Sequence, residues 1–324
     1  MKRVLTGVQA SGKPHLGNLL GAIEPAIAMS NEADTESFLF IADLHSLTTI
    51  KNAALMKENT FSVAAAWLAC GFDHEKNYFY RQSRLAGFHT ELMWYLNCFT
   101  PYPMLSNATS FKDKSESLAD VNAGLFTYPV LQAADILLYN AHKIPVGKDQ
   151  KQHIEMTREI GNKFNNTFGD IFVLPDAVIN EDVMTIPGLD GRKMSKSLHN
   201  YIDVFLPEKE LDKQIKSIIS DSKSLESPKD PETDITFKLF SLVASETDTA
   251  TMKASYLAGN YGYGHAKKAL LSVILERFAS QRLVYNHYIN NLKELENELE
   301  KGETKAKIIA QETILKVRAA LGYD

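Results

Sequence analysis

Up to about residue 200 the chain alternates short β-prone runs with amphipathic stretches, and few architectures accept that alternation. The runs are RVLTG (3–7), SFLFIAD (37–43), NYFYRQ (77–82) and KIPVG (143–147). Short apolar strands separated by helix-length segments are the pattern of a parallel sheet with helical crossovers, an α/β fold. Beyond about residue 205 the strand signals stop. Helical periodicity takes over in LDKQIKSIIS, TFKLFSLVA, HAKKALLSVILERFASQRLVYNHY and TKAKIIAQETILKVRAALG. The reading predicts a doubly wound parallel sheet over 1–204 and an α-helical domain over 205–324, with SKSLESPKDPETD (222–234) as a surface loop.

Composition narrows the setting. At 324 residues and 44% hydrophobic, the chain can fill a substantial core. Cys70 and Cys98 have no CxxC spacing, so they read as buried thiols in a reducing compartment, which predicts a cytoplasmic protein. No run of about 18 apolar residues suits a bilayer, and no membrane partner is expected. A net charge of −5 argues against a generic nucleic-acid coat protein.

The stretch GVQASGKPHLGN (7–18) begins like a phosphate-binding P-loop, G-x-x-x-x-G-K-[ST], and fails at its last position. Pro14 has neither the hydroxyl that would ligate magnesium nor an N–H to cradle phosphate. It suits the first turn of a helix instead, with Leu16, Leu19, Leu20, Ile23 and Ile27 as an apolar stripe. His15 and Asn18 are expected to share one exposed side of that turn, at the positive end of the helix dipole. Gly17 leaves room for a flat ring against the backbone. Pro25 predicts a kink or an end to the helix.

Some 175 residues on comes GLDGRKMSKSLHN (188–200). Its KMSKS (193–197) is the second signature of the class I aminoacyl-tRNA synthetases, and PHLGN (14–18) resembles their first. AGLFTYPVLQAADILLYNAHKIPVGKDQKQHIEMTREI (123–160), IADLHSLT and FKDKS resemble the bacterial tryptophanyl-tRNA synthetase family. The resemblance covers the first 200 residues densely and the helical remainder through KSIISDS and overall length.

The resemblance implies a Rossmann-like catalytic domain, ATP with its Mg2+ held by the nucleotide and no metal ligands on the protein. It also implies L-tryptophan and tRNA(Trp) as partners, and a homodimer. It assigns His15, Asn18, Lys114, Lys193 and Lys196 to catalysis. ATP falls to Gln9, Ala10, Ser11, Gly17, Asn18, Gly147, Lys148, Asp149, Val183, Lys193, Met194, Ser195, Lys196 and Ser197, with Asp149 at the ribose. Tryptophan falls to Asp135, Tyr128, Gln132, His45, Gln150 and Gly7. Gln132 and Lys148 stand where family members often carry Met and Glu.

The residues also speak for themselves. Tyr128, Gln132 and Asp135 are spaced i, i+4, i+7 and share one helix face. An indole N–H is a lone donor, and Asp135 offers the acceptor; a ligand without that donor leaves a desolvated carboxylate unpaired. His45 taken alone reads as a core histidine. Between 251 and 293, Lys253, Lys267, Lys268, Arg277, Arg282 and Lys293 stand against Glu276 alone, interleaved with five tyrosines. That mixture suits unpaired anticodon bases, with Lys267 and Lys268 as tRNA contacts, and it equally suits a solvated helix face. A tyrosyl-tRNA synthetase and an adenylate-forming paralogue without tRNA are the rival readings.

Overall fold

The computed structural model describes residues 1–109, 111–112, 121–179 and 185–323. Five strands, β1 (Lys2–Val8), β2 (Thr35–Ile41), β3 (Tyr78–Arg81), β4 (Lys143–Val146) and β5 (Asp176–Ile179), form one sheet in the order β3-β2-β1-β4-β5. Every pairing is parallel. The order reverses direction between β1 and β4, the place where doubly wound sheets open a crevice for ligands. Phe38, Leu39, Phe40 and Ile41 of β2 are all buried, because helices cover both faces of the sheet and a central strand must then be apolar throughout. β5 escaped the sequence reading: DAVI is four residues long and only partly buried, so it carries no run and no alternation to detect.

One face of the sheet packs on the helix Ala53–Ala69, including Trp67, and on the segment beginning at Leu16. The other packs on Ala86–Asn97, Ala123–Leu138 and Lys151–Phe168. The first helix starts where Pro14 predicted, but Pro25 does not end it. Leu16–Asn18 passes into a π-helical turn, Leu19–Ile23, in which the Glu24 N–H reaches the Leu19 carbonyl. Glu24–Ser30 then continues with Pro25 in its first turn, where no N–H is required. The widened turn absorbs what would otherwise be a break.

Residues 208–321 are helical apart from their connections. The 222–234 loop is on the surface, as expected, but it is anchored from within. Lys229 is buried, and its Nζ donates to the carbonyls of Ser224, Leu225 and Ser227. The last helix, Leu292–Leu321, returns to the sheet and lies along β3. A Cβ at Gly302 would stand 1.8 Å from the Phe79 carbonyl oxygen, so only glycine lets the helix ride this close. Arg81 bonds Glu303 at 2.6 Å and Glu296 at 2.8 Å, while Lys305 donates to the carbonyls of His74, Glu75 and Asn77. An otherwise open edge strand is thereby covered. Both cysteines are free thiols; Cys98 is exposed rather than buried, because it caps the end of Ala86–Asn97.

Candidate active site

At the β1/β4 switch point lies a cavity of about 340 Å3, walled by Gly7 and Gln9 of the β1 end, Phe40 and His45 after β2, Tyr128, Gln132 and Asp135 from one helix, and Gln150 after β4. Gly7 is needed for the floor: a Cβ there would meet the Phe40 ring at 2.6 Å. The residues read as one helix face do face one cavity. That volume suits a single aromatic amino acid.

Asp135 is fully buried and heavily engaged. Oδ2 meets His45 Nε2 at 2.7 Å, while Oδ1 accepts from Gln82 Nε2 at 2.6 Å and meets His89 Nδ1 at 2.7 Å. Burial alone would raise the carboxyl; His45 and His89 outweigh it and hold it at about 2. A carboxylate has about four acceptor positions, so three donors leave one, on Oδ2. Helical spacing marks Asp135 as an acceptor for a ligand but does not reveal Gln82 and His89, which meet it from distant parts of the chain. The signal was there in NYFYRQ, whose polar end closes an otherwise apolar strand.

The far wall is a second chain of bonds. Tyr128 Oη meets His153 Nε2 at 3.1 Å, His153 Nδ1 meets Gln150 Oε1 at 2.8 Å, and Gln150 Nε2 donates to Asp149 Oδ2 at 2.9 Å. Asp149, Lys148 and Gly147 are exposed at the rim. A Cβ at Gly147 would stand 2.7 Å from Asp149 Oδ1, so a larger residue there would displace the Asp149 carboxylate.

Beside this cavity a second, of about 450 Å3, lies between the two signatures, lined by Ser11, His15, Gly17, Asn18, Thr185 and residues 193–197. Along the chain leaving β1, Gln9 lines the first cavity and Ser11 the second, while Ala10 packs inward with no exposure and can offer only its backbone. His15 and Asn18 are not side by side on an exposed surface. His15 is the buried N-cap: its Nδ1 accepts from the Asn18 N–H at 3.2 Å, and Asn18 Oδ1 accepts from the His15 N–H at 3.1 Å. This reciprocal box fixes the ring. With Nδ1 accepting, the neutral tautomer carries its proton on Nε2. Burial, and then the charge of Lys196, pull the imidazole down to about 4, so it is a neutral donor at physiological pH.

The signatures touch. Gly17 N–H points at Met194 Sδ at 3.3 Å, and Lys196 Nζ donates to the Gly12 carbonyl at 2.7 Å. Gly12 has φ +130°, which presents that carbonyl and favours glycine. Burial brings Lys196 down to about 8 despite the nearby Asp203. Asn200, buried and unremarked in the sequence, staples the loop: Oδ1 accepts from Ser195 N–H and Nδ2 donates to Asp190 and to the Lys193 carbonyl. Lys193 and Ser197 are exposed. Lys114 and Val183 lie outside the described residues.

The basic segment is less free than its composition suggests. Lys267 donates to the carbonyls of Lys216 and Ile218, Arg282 to those of Val204 and Leu206, and Arg277 to that of Leu242. Tyr256 and Tyr285 are buried, the latter stacked on Phe205. These groups cap and fill the helical region, which removes them from any stacking surface; Lys268 and Lys293 are exposed.

Residues 1–279 match the family described as tRNA synthetases class I (W and Y). A tryptophan–tRNA ligase of Fusobacterium nucleatum is 44% identical over 323 residues, which span 99% of this chain and 98% of that one. A tryptophanyl-tRNA synthetase from Campylobacter jejuni, solved in complex with ADP and tryptophan, superposes with a TM-score of 0.95 at 43% identity over 99% of both chains. A tyrosyl-tRNA synthetase from Archaeoglobus fulgidus, at 19% identity and a TM-score of 0.65 over 88% of this chain and 90% of that one, shares the fold.

Proposed function

The chain belongs to the class I tRNA synthetases for tryptophan and tyrosine and acts as an ATP-dependent tryptophan–tRNA ligase; on that premise we propose how its residues divide the work. Tryptophan occupies the 340 Å3 cavity, with its indole N–H on the remaining lone pair of Asp135 Oδ2 and its ring between Tyr128 and Gln132. Gly7, His45 and Gln150 complete the wall. A carboxylate oxygen of tryptophan attacks the α-phosphorus of ATP, the bond to the bridging oxygen breaks, and its electron pair leaves with pyrophosphate. The terminal adenosine of the tRNA then attacks the carbonyl carbon, and AMP departs.

The protein supplies position and charge rather than a covalent intermediate. His15 donates from Nε2 and Asn18 holds it there. Gln9, Ala10, Ser11, Gly17 and the 193–197 segment receive the nucleotide, and Gly147, Lys148 and Asp149 its ribose end. Lys193 and Lys196 neutralise the charge that develops on pyrophosphate, which is typically worth about 100- to 1,000-fold per group. Lys196 already sits on Gly12 in a closed arrangement, so ATP must take its ammonium over from a carbonyl. Magnesium arrives with the triphosphate and is held by its oxygens.

Residues 1–204 carry this chemistry and 205–324 the tRNA contacts, with Lys268 facing solvent there. A homodimer working in the cytoplasm completes the proposal. Trp94 and Tyr102 are 68% and 72% exposed on the helices Ala86–Asn97 and Tyr102–Ser106, large apolar side chains that a second copy would cover. No helix among the described residues is long and apolar enough to cross a membrane.

The observation that carries the reading is one cavity with a buried, ionised acceptor opening beside the joined signatures. ATP–pyrophosphate exchange with each of the twenty amino acids tests it: tryptophan alone is expected to support exchange, and faster exchange with tyrosine would overturn it. A sedimentation experiment giving an active monomer at micromolar concentration would overturn the dimer.

A further inference from the structure

Three consecutive side chains at the carboxyl end of β3 each grip a carboxylate. Arg81 turns outward to Glu296 and Glu303 of the last helix. Gln82 turns inward to Asp135 Oδ1, and Ser83 bonds Asp43 through both its N–H and its hydroxyl. Asp43 opens the short helix Asp43–Ser46, which carries His45, and His45 is the group on Asp135 Oδ2. Both oxygens of Asp135 are therefore positioned from the same strand end, one directly and one through the helix that starts at Asp43.

Gln82 is fully buried, and its Oε1 has no hydrogen-bond partner among the described residues. An unpaired buried carbonyl carries a desolvation cost that an apolar side chain of the same length would avoid. Packing alone gives no reason for an amide here. The donor on the same amide does: an ionised carboxylate accepts and cannot donate, so Gln82 binds it through Nε2 and leaves Oε1 stranded. His89 reaches the same oxygen from the other side, and its Nε2 meets Tyr139 Oη at 3.3 Å. With Oδ1 saturated by two donors and Oδ2 holding only His45, the single open acceptor position has a defined direction.

We infer that Gln82 is a positioning residue for tryptophan recognition, whose amide holds Asp135 in the orientation that reads the indole N–H. The inference rests on the reading of Asp135 as that acceptor. Gln82 touches no ligand; it selects by denying the carboxylate any other rotamer, so that a ring lacking the N–H meets a fixed and unpaired oxygen.

The test compares kcat/KM in ATP–pyrophosphate exchange for tryptophan and for β-(3-benzothienyl)alanine, which replaces the indole N–H by sulfur. Three proteins are used: the parent, Gln82→Met and Asp135→Ala. Q82M is expected to lower kcat/KM for tryptophan about ten-fold, the order of one hydrogen bond to a charged group, mostly through KM. The benzothienyl substrate should change little, so the discrimination ratio moves toward that of D135A. A general loosening would lower both substrates together and keep the ratio. Gln82→Asn, which keeps the amide but withdraws it by one methylene, gives the same readout should Q82M be insoluble. A parental ratio in Q82M or Q82N, with the ratio collapsed in D135A, overturns the role of Gln82. A parental ratio in D135A overturns the reading of Asp135 itself.

Discussion

The two cavities reached along the exit of β1 are built on opposite plans. Around Asp135 every donor is buried and every bond runs between side chains on different elements: β3's end, two helices and the short turn after β2. Around Lys196 the bonds are few, run largely to backbone, and belong to one loop stapled by Asn200, with Lys193 exposed and Lys196 half-buried on the Gly12 carbonyl. Selection between amino acids differing by a ring needs an acceptor that does not move, because a carboxylate that could turn aside would forgive a missing donor. Pyrophosphate formation and release need cations that can exchange one partner for another. Rigidity and mobility are thus separated by a few residues along β1's exit, where Gln9 faces one cavity and Ser11 the other.

The contrast breaks most visibly at Lys196. Lys196→Ala is expected to slow single-turnover adenylate formation by about 100- to 1,000-fold while tryptophan binding stays near parental, since the charge it meets exists only as pyrophosphate departs. Tryptophan affinity falling in step with rate would show that the two cavities act as one. Asp135→Ala should do the reverse: kcat/KM for tryptophan falls by about 5- to 150-fold, from the loss of about 1 to 3 kcal/mol, with ATP affinity preserved. It should also lower the melting temperature, because His45, Gln82 and His89 lose their acceptor together. Equal stability and unchanged tryptophan kinetics would sink the rigid-pocket account.

A smaller effect sharpens the same division by pH. The Lys196 ammonium, brought down to about 8 by burial, loses its proton as pH rises through that value, so kcat/KM for ATP should decline on the alkaline side, approaching about ten-fold per unit. Lys196→Arg, always charged, should carry this limb to higher pH, and an unmoved limb would assign it to another group. The smallest effect lies in the helical region. Lys268→Ala is expected to weaken tRNA binding a few-fold and reduce its salt slope by about one, whereas Lys267→Ala, which uncaps two carbonyls, should mainly lower stability. Identical behaviour of the two variants would erase the distinction between exposed and capping lysines.

Much of this was legible in the sequence, for reasons that differ by residue. Four strands were visible because a parallel strand covered on both faces must be apolar; β5 was not, being short and half covered. Tyr128, Gln132 and Asp135 could be placed on one face because helical spacing is fixed. What Asp135 would touch could not, since Gln82 and His89 lie 53 and 46 residues away and meet it only through the topology. His15 illustrates the opposite limit: its location at a helix start was readable, but its turning inward to cap that helix, rather than outward, depends on the burial supplied by Tyr201 and the signature loop. Net charge could not decide between the two readings of the 251–293 segment, because a count of cations cannot distinguish those that face solvent from those that cap carbonyls.

The seating of Gly302 on the Phe79 carbonyl has a consequence for how the protein is made. All five strands precede residue 180 in the chain, yet the outer edge of β3 waits for the thirty-residue helix Leu292–Leu321, which is synthesised well after them. Until then Arg81 has no carboxylate partner and the strand offers its unpaired backbone to any neighbouring chain. A message cut short before that helix would therefore yield not a modest enzyme lacking tRNA contacts but an open-edged sheet prone to pair with its own kind, and synthesis of Leu292–Leu321 becomes the step that commits the nascent sheet to a single fold.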